Sequence, residues 1–350
     1  MNRSVLKSWE AMLAVALVLE LVVLGLINPA FLNIENLLFS TSDFVHVIIC
    51  AVGLTLVIMT GGMDISGVSI MGLCSIVLGL SFVAGVPIWA GVGLALLVGL
   101  GAGAFNGSVI ARTDVNPLVI TLAMLFFYAG VATGLPTLLD MMGFAVAGAG
   151  GFEAYQYEGI TGLPKSFTWI GTGALGWVPV PLILTLVIAA AATFAMHRTR
   201  FGRFLKLIGV SAEVARFTGV PVKRTLVTVY ALNGLACAVA GLVLTAYFTS
   251  ARSDLGAEAL LNIITAVVLG GSSIYGGQGS VLGTFLAGLV LGYLRQGLLA
   301  LGVSSDVVPV IVGGLLIGSV ALRIGTGALA ARRANRAAYE AERAAVGGNG

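Results

Sequence analysis

The sequence predicts an all-α, polytopic membrane protein with about ten transmembrane helices. Three observations carry that expectation. Of 350 residues, 58% are hydrophobic and 9% charged, where a soluble chain carries about a quarter charged residues. The apolar excess is gathered in runs long enough to cross a bilayer, which takes about 20 residues as helix. The 49 glycines suit helices that must approach one another closely inside lipid.

In chain order the expected spans are 11–28, 44–60, 67–84, 88–111, 117–135, 178–197, 224–247, 259–273, 280–300 and 306–323. The first is read as a retained span, because the run from Ala11 to Ile27 is long for a signal peptide and no small-x-small site follows it. An even count puts both termini on one side. Arg3 and Lys7 at the front, Arg323, Arg332, Arg333 and Arg336 at the back, Arg112 and the basic loop 198–224 make that side cytoplasmic. Glu35, Asp43, Asp254 and Glu258 then lie outside. The expected organisation is a transmembrane domain over 1–327, with a long outer segment at 136–177, and a cytoplasmic tail over 328–350 that frays into disorder. Length gives the 136–177 segment the character of a lid or docking surface; a loop with a short interfacial helix fits as well.

The stretch Arg198–Arg224 holds seven Lys/Arg and one acid, Glu213. A capped helix is legible inside it. Ser211 is a good N-cap, Glu213 lies in the first turn, Arg216 near the last, Gly219 just past the end, and Pro221 stops the chain. A structured helix is more than a connector needs, so Ser211, Ala212, Glu213, Val214, Ala215, Arg216, Phe217, Thr218 and Gly219 are read as a docking element. Two glycine breaks also echo one another, Thr60–Gly72 and Leu269–Gly283, each followed by a small-residue helix start. Repeats with interrupted helices mark many transport proteins.

Polar residues within the spans are costly and have a partner or a task. Asp64, in GGMDIS, is either a pin or gate at the end of a pathway, or, with Ser66, an N-cap of the third span. Arg295 in the ninth span either faces a cavity, where it could hold an anionic or hydroxyl-rich solute, or snorkels to the outer interface. Glu20 pairs with a cation or reaches the headgroups. Asn106, Asn233 and Asn262 suit helix-to-helix hydrogen bonds. Phe126, Phe127 and Tyr128 either line a path by stacking or pack against lipid and neighbours. Asp64, Phe126, Asn233 and Arg295 are the candidate path residues.

The absences narrow the class. Lys7, Lys165, Lys206 and Lys223 stand outside any G-x-x-x-x-G-K-[ST] pattern, so an ATP-driven mechanism requires its nucleotide site on another chain. Cys50, Cys74 and Cys237 lack metal spacing, and His46 and His197 are far apart; neither cofactor nor metal is expected. No catalytic constellation survives the placement of spans, and an enzyme is a poor fit.

Several segments, in order, resemble the permease subunits of ribose-type, carbohydrate-uptake bacterial ABC importers. These are LTLVIMTGGMDIS, NGSVIARTDVNPLVITL, GLPKSF, RTRFGRFLKLIG, AVVLGGSSIYGGQGSVLGTFLAGLVLG and LGVSS, spanning about Asn33 to Leu322. The resemblance implies type II importer permease architecture in the bacterial inner membrane. It also implies pairing with a second permease chain, separate cytoplasmic ABC ATPase subunits and a periplasmic solute-binding protein. The helix at Ser211–Thr218 is similar to the family's ATPase-coupling helix. The chain departs from the family at Ser211, where Asn is usual, at the Ser66-Gly67-Val68-Ser69 order, and at Arg295, where a small or amide residue is common. The expected cargo is a sugar or sugar-like solute moved by alternating access. Nucleosides, branched-chain amino acids and furanose-type signalling molecules are alternatives within the class, and an ATP-independent facilitator or a non-transporting scaffold lies outside it.

Overall fold

The computed structural model describes residues 3–29, 33–141, 159–315, 317, 318 and 321. The chain order is α1 (Arg3–Ile27), α2 (Ile34–Ser40), α3 (Val45–Ile58), α4 (Gly67–Val83), α5 (Ile88–Ile110) and α6 (Pro117–Met141). Then come α7 (Lys165–Thr172), a two-residue hairpin β1 (Ala174–Leu175) and β2 (Val178–Pro179), α8 (Val180–Arg198), α9 (Arg200–Val210), α10 (Ala212–Phe217), α11 (Val222–Phe248), α12 (Leu260–Leu269) and α13 (Val281–Ala300). Residues 308–315 are helical as well.

Among the described residues, six of these helices are long and apolar enough to cross a membrane alone, and a seventh span arises if α2 and α3, bent by 61° near Phe44, count as one. The expected third span is a helix of 17 residues, and the expected eighth shrinks to the ten residues of α12. At 1.5 Å per residue, the latter reaches only about half-way across a hydrocarbon core. The first part of the tenth expected span is helical; residues 316, 319, 320 and 322–323 and the whole 328–350 tail lie outside the described residues.

The bundle is layered by hydrophobicity. Every residue of α3 from Val45 to Ile58 is buried, as is α4 from Gly67 to Ser81. Helices apolar on all faces belong in the centre. α1 keeps Val15, Val18, Leu19 and Val22 exposed, and α5 keeps Leu94 and Leu97 exposed, as suits an outer, lipid-facing shell. α11 crosses the core and meets α5 along a stripe of small residues. A Cβ on Gly103 would lie 2.2 Å from the Tyr230 carbonyl, and one on Gly234 2.2 Å from the Gly99 carbonyl. The backbones touch because the side chains are missing, the close-packed geometry of membrane helices. Gly234→Ala is therefore expected to destabilise the chain by about 1–3 kcal/mol of overpacking, read as a lower melting temperature in detergent. Gly101→Ala, which meets nothing within 4 Å, should not. Equal melting of the two variants in a thermal denaturation series would show that the crossing is loose.

The segment expected as a loop from 136 begins instead as helix: α6 runs through Pro136 to Met141. A proline removes one backbone hydrogen bond and is tolerated where neighbouring helices absorb the change. Residues 142–158, with Glu153 and Glu158, lie outside the described residues. Beyond them the chain is anchored. Ile160 and Ala251 exchange a pair of backbone hydrogen bonds of 2.9 Å, Phe167 on α7 is fully buried, and Gly171 packs on the backbone at Tyr247.

Candidate functional site

The short basic-loop helix forms where its caps place it. Ser211 Oγ accepts the Val214 amide at 3.2 Å. At the far end Gly219 takes φ +81°, its amide donates to Arg216, and the Val220 amide donates to the Ala215 carbonyl at 3.0 Å. This is a Schellman closure, which requires a left-handed residue at that point. Ala215 and Val220 pack with Ile208 and Val222 as a small apolar cluster. The opposite face is uncovered: Val214 is 60% and Phe217 84% exposed, and Val210 at the end of α9 is 80% exposed. α9 itself was not expected from the sequence. It buries Gly202, Leu205 and Ile208 while its basic residues point away, an amphipathic elbow leading out of α8.

This elbow touches the glycine breaks. A Cβ on Gly209 would lie 2.0 Å from the Met59 carbonyl and 2.2 Å from the Gly277 amide nitrogen, and the Gly277 amide donates to Met59 at 2.9 Å. The two echoing breaks therefore meet each other, with α9 against both. Each ends at a serine preceding its helix: Ser66 before α4 and Ser280 before α13. Ser280 Oγ accepts the Gly283 amide at 2.9 Å and donates to Glu10 of α1. A pocket of about 600 Å³ lies beside them, lined by Gly61, Gly62, Arg112, Ala212, Arg216 and Tyr230.

Asp64 is 3% exposed. One carboxyl oxygen accepts the Ser66 amide at 3.0 Å and the Ser66 hydroxyl at 2.6 Å; the other accepts Nδ2 of Asn233 at 3.0 Å. The Ser66 hydroxyl in turn accepts Asn106 Nδ2 at 2.8 Å, and Asn106 Oδ1 accepts the Tyr128 hydroxyl at 2.8 Å. The break between α3 and α4 is thus tied to α5, α6 and α11 by one buried chain of hydrogen bonds. The N-cap alternative is corrected: Ser66 occupies the cap position and makes no side-chain cap bond, and Asp64 bonds Ser66 rather than the amides of the first helical turn. A carboxyl group two residues before the helix turns the chain locally, an Asx turn, and spends its second oxygen on a distant helix.

The four candidate path residues do not converge. Asp64 and Asn233 meet. Phe126 is 68% exposed on the outside of α6, in an apolar groove with Phe127, Gly130, Gly134 and Leu138. Its neighbour Tyr128 is the aromatic that turns inward. Arg295 is half-buried and lines a separate pocket of about 510 Å³ with His46, Gln296, Asp43, Asp254 and Glu258. Gln296 donates to the Ser40 carbonyl and to Asp43, both at 2.7 Å, and Tyr247 donates to the other Asp43 oxygen. Arg252 is bound by Asp254, whose hydrogen bond raises the guanidinium pKa further. Glu20 has neither expected fate: both its carboxyl oxygens are buried without a hydrogen-bond partner among the described residues. His46 and Tyr247 were given no role in the sequence, although a lone histidine in an apolar run is a visible polar signal; Ser66 was read only as a cap and not as a link between Asp64 and Asn106.

Three comparisons bear on this architecture. Residues 36–320 match the family described as branched-chain amino acid transport system / permease component. The chain is 48% identical over 310 residues to the autoinducer 2 import system permease protein LsrD of Salmonella typhimurium, covering 89% of this chain and 90% of that protein. It is 48% identical over 309 residues to the LsrD of Yersinia enterocolitica, covering 88% and 89%, and 47% identical over the same length to that of Yersinia pseudotuberculosis. No solved structure matches the chain. With this match over residues 36–320 and these relatives, the chain belongs to the branched-chain amino acid transport system permease component family.

Proposed function

We propose that this chain is the translocation subunit of an ATP-driven importer that moves a sugar-like solute into the bacterial cytoplasm by alternating access. One observation carries the reading: a six-residue helix, capped at both ends, holds Val214 and Phe217 in the open while its other face is fixed against the body of the protein. Large apolar side chains on a basic loop outside the spans are a docking surface. The receiving partner is a cytoplasmic ABC ATPase, one for each of two permease chains, and a periplasmic binding protein delivers the solute. Both chain termini and the 198–224 loop are cytoplasmic in this scheme.

The mechanical consequence follows from the contacts. Movement of α10 is passed to α9, and Gly209 presses on Met59 and Gly277 with no side chain to cushion it. The two glycine breaks shift together. Asp64, Ser66, Asn106 and Asn233 then determine whether α4 moves with α11 or against it, and the path re-opens on the other side. The solute to test first is autoinducer 2, named in the relatives; ribose and leucine are the comparisons. Proteoliposomes holding this chain, its ATPase and its binding protein should accumulate autoinducer 2 or ribose only with ATP. Uptake by the permease alone would establish a facilitator instead, and ATP-driven uptake of leucine alone would replace the solute class.

A further inference from the structure

We infer that Trp9 and Glu10 of α1 are positioning residues for transport: they hold both cut ends of the second glycine break, 269–283, and fix where it rests. The consequence for transport rests on the import reading above. A break leaves orphaned carbonyls on the helix that stops and orphaned amides on the helix that starts, and each needs a partner. At the end of α12 the Gly271 and Ser272 amides turn back to the Val268 and Val267 carbonyls, and Ser273 donates to Gln278. The Leu269 carbonyl instead accepts Trp9 Nε1 at 2.8 Å. The indole also lies against Gly271, where a Cβ would stand 3.1 Å from Trp9 Cδ1. At the start of α13, Ser280 Oγ accepts the Gly283 amide at 2.9 Å and donates to Glu10. Two consecutive residues of one helix thus reach the end of α12 and the start of α13. An acid side chain also suits the positive end of the α13 dipole.

Anchoring α1 does not require these bonds. Nearer its other end, Leu24 fills the space over Gly297, where a Cβ would lie 2.3 Å from Leu24 Cδ2, and already seats α1 on α13. The polar pair serves the break. The first break is built alike: the Ser66 hydroxyl donates to a carboxyl group, that of Asp64. The Met59 carbonyl, at the end of α3, accepts the Gly277 amide of the second break at 2.9 Å. The supports therefore run in series. α1 holds the second break, the second break holds the first, and Gly209 of α9 presses on both. With Trp9 or Glu10 loosened, the second break yields to α9 and absorbs the movement it should pass on.

The test reads autoinducer 2 imported per ATP hydrolysed, in proteoliposomes holding the full-length permease, its ATPase and its binding protein. Trp9→Phe keeps a ring and removes the donor; Glu10→Ala removes the acceptor. Each should lower the ratio about fivefold, the weight of one net hydrogen bond, while hydrolysis continues. Glu10→Gln can still accept from Ser280 and should keep the ratio, as should Trp89→Phe, which alters an exposed indole on α5. Glu10→Ala should add nothing to Ser280→Ala, because the two changes break one contact. Amide hydrogen exchange of the full-length chain in detergent is the second measurement. Exchange over 270–283 should quicken in Trp9→Phe and Glu10→Ala and stay unchanged in Glu10→Gln. If Glu10→Ala fails to fold, Trp9→Phe and Glu10→Gln decide the matter. An unchanged ratio in Trp9→Phe and Glu10→Ala, uptake and hydrolysis falling in step, or Glu10→Gln failing as Glu10→Ala does, overturns the positioning role. The import reading fails separately. If the unaltered assembly takes up nothing with ATP, the importer is rejected, and exchange alone decides whether α1 holds the break. If it transports and the α1 variants match it, the importer stands and the positioning role falls.

Discussion

Val214→Ser combined with Phe217→Ala is expected to reduce ATP-coupled uptake by more than tenfold while leaving the chain folded and inserted. Both side chains are mostly exposed, so their loss removes little burial from the permease itself. Their energy lies in the contact they make with a partner. Apolar and aromatic anchors at the centre of an interface each contribute about 2 kcal/mol or more when truncated, and tenfold in binding is about 1.4 kcal/mol. Glu213→Gly with Arg216→Gly weakens the same element from within, at about 1 kcal/mol per glycine in a helix. This pair is expected to uncouple hydrolysis from transport more mildly. Co-purification with the ATPase and uptake into vesicles read the two steps separately. Undisturbed co-purification and uptake in the Val214/Phe217 variant would remove the docking role from this face.

That helix was legible in the sequence because its signals are local: a capping serine, an acid in the first turn, a glycine and a proline after the last. The same holds for most helix ends. α4, α5, α8, α11 and α13 begin and end within a few residues of the expected spans, since apolar runs stop where Gly, Pro or charge begins. α9 was hidden because Arg200, Arg203 and Lys206 interrupt the run, and only the spacing of Gly202, Leu205 and Ile208 reveals its buried stripe. The bend of α2 on α3 leaves no mark in a hydropathy pattern, which counts apolar residues and not their direction. Phe126, Phe127 and Tyr128 are consecutive, so on a helix they face three directions about 100° apart. Local reading cannot say which one turns inward; the answer depends on Asn106 and the Ala102 carbonyl, which hold the Tyr128 hydroxyl. The partner of Asp64 lies 169 residues away. That pairing belongs to tertiary packing, and no spacing rule supplies it.

Asp64 separates a fastening role from a conducting one. Asp64→Ala is expected to be severely destabilising. It leaves the Ser66 amide and Asn233 Nδ2 without acceptors in a buried place, at about 1–3 kcal/mol for each orphaned group. It also frees the break between α3 and α4 from α11. Asp64→Asn should fold far better. The new amide oxygen can still accept from Ser66, and its nitrogen can donate to Asn233 once that side chain turns its own oxygen inward. The comparison of the two variants therefore isolates hydrogen bonding from charge. If the carboxyl group works as a fastening, Asp64→Asn should melt within about 1 kcal/mol of the unaltered protein and carry solute at a similar rate. A second variant tightens the argument. Exchanging the pair, Asp64→Asn with Asn233→Asp, keeps one carboxyl and one amide at the contact and should recover what either single change loses. If Asp64→Asn folds normally yet abolishes uptake, and the exchanged pair does not restore it, the negative charge at this position is used in transport and the fastening account fails.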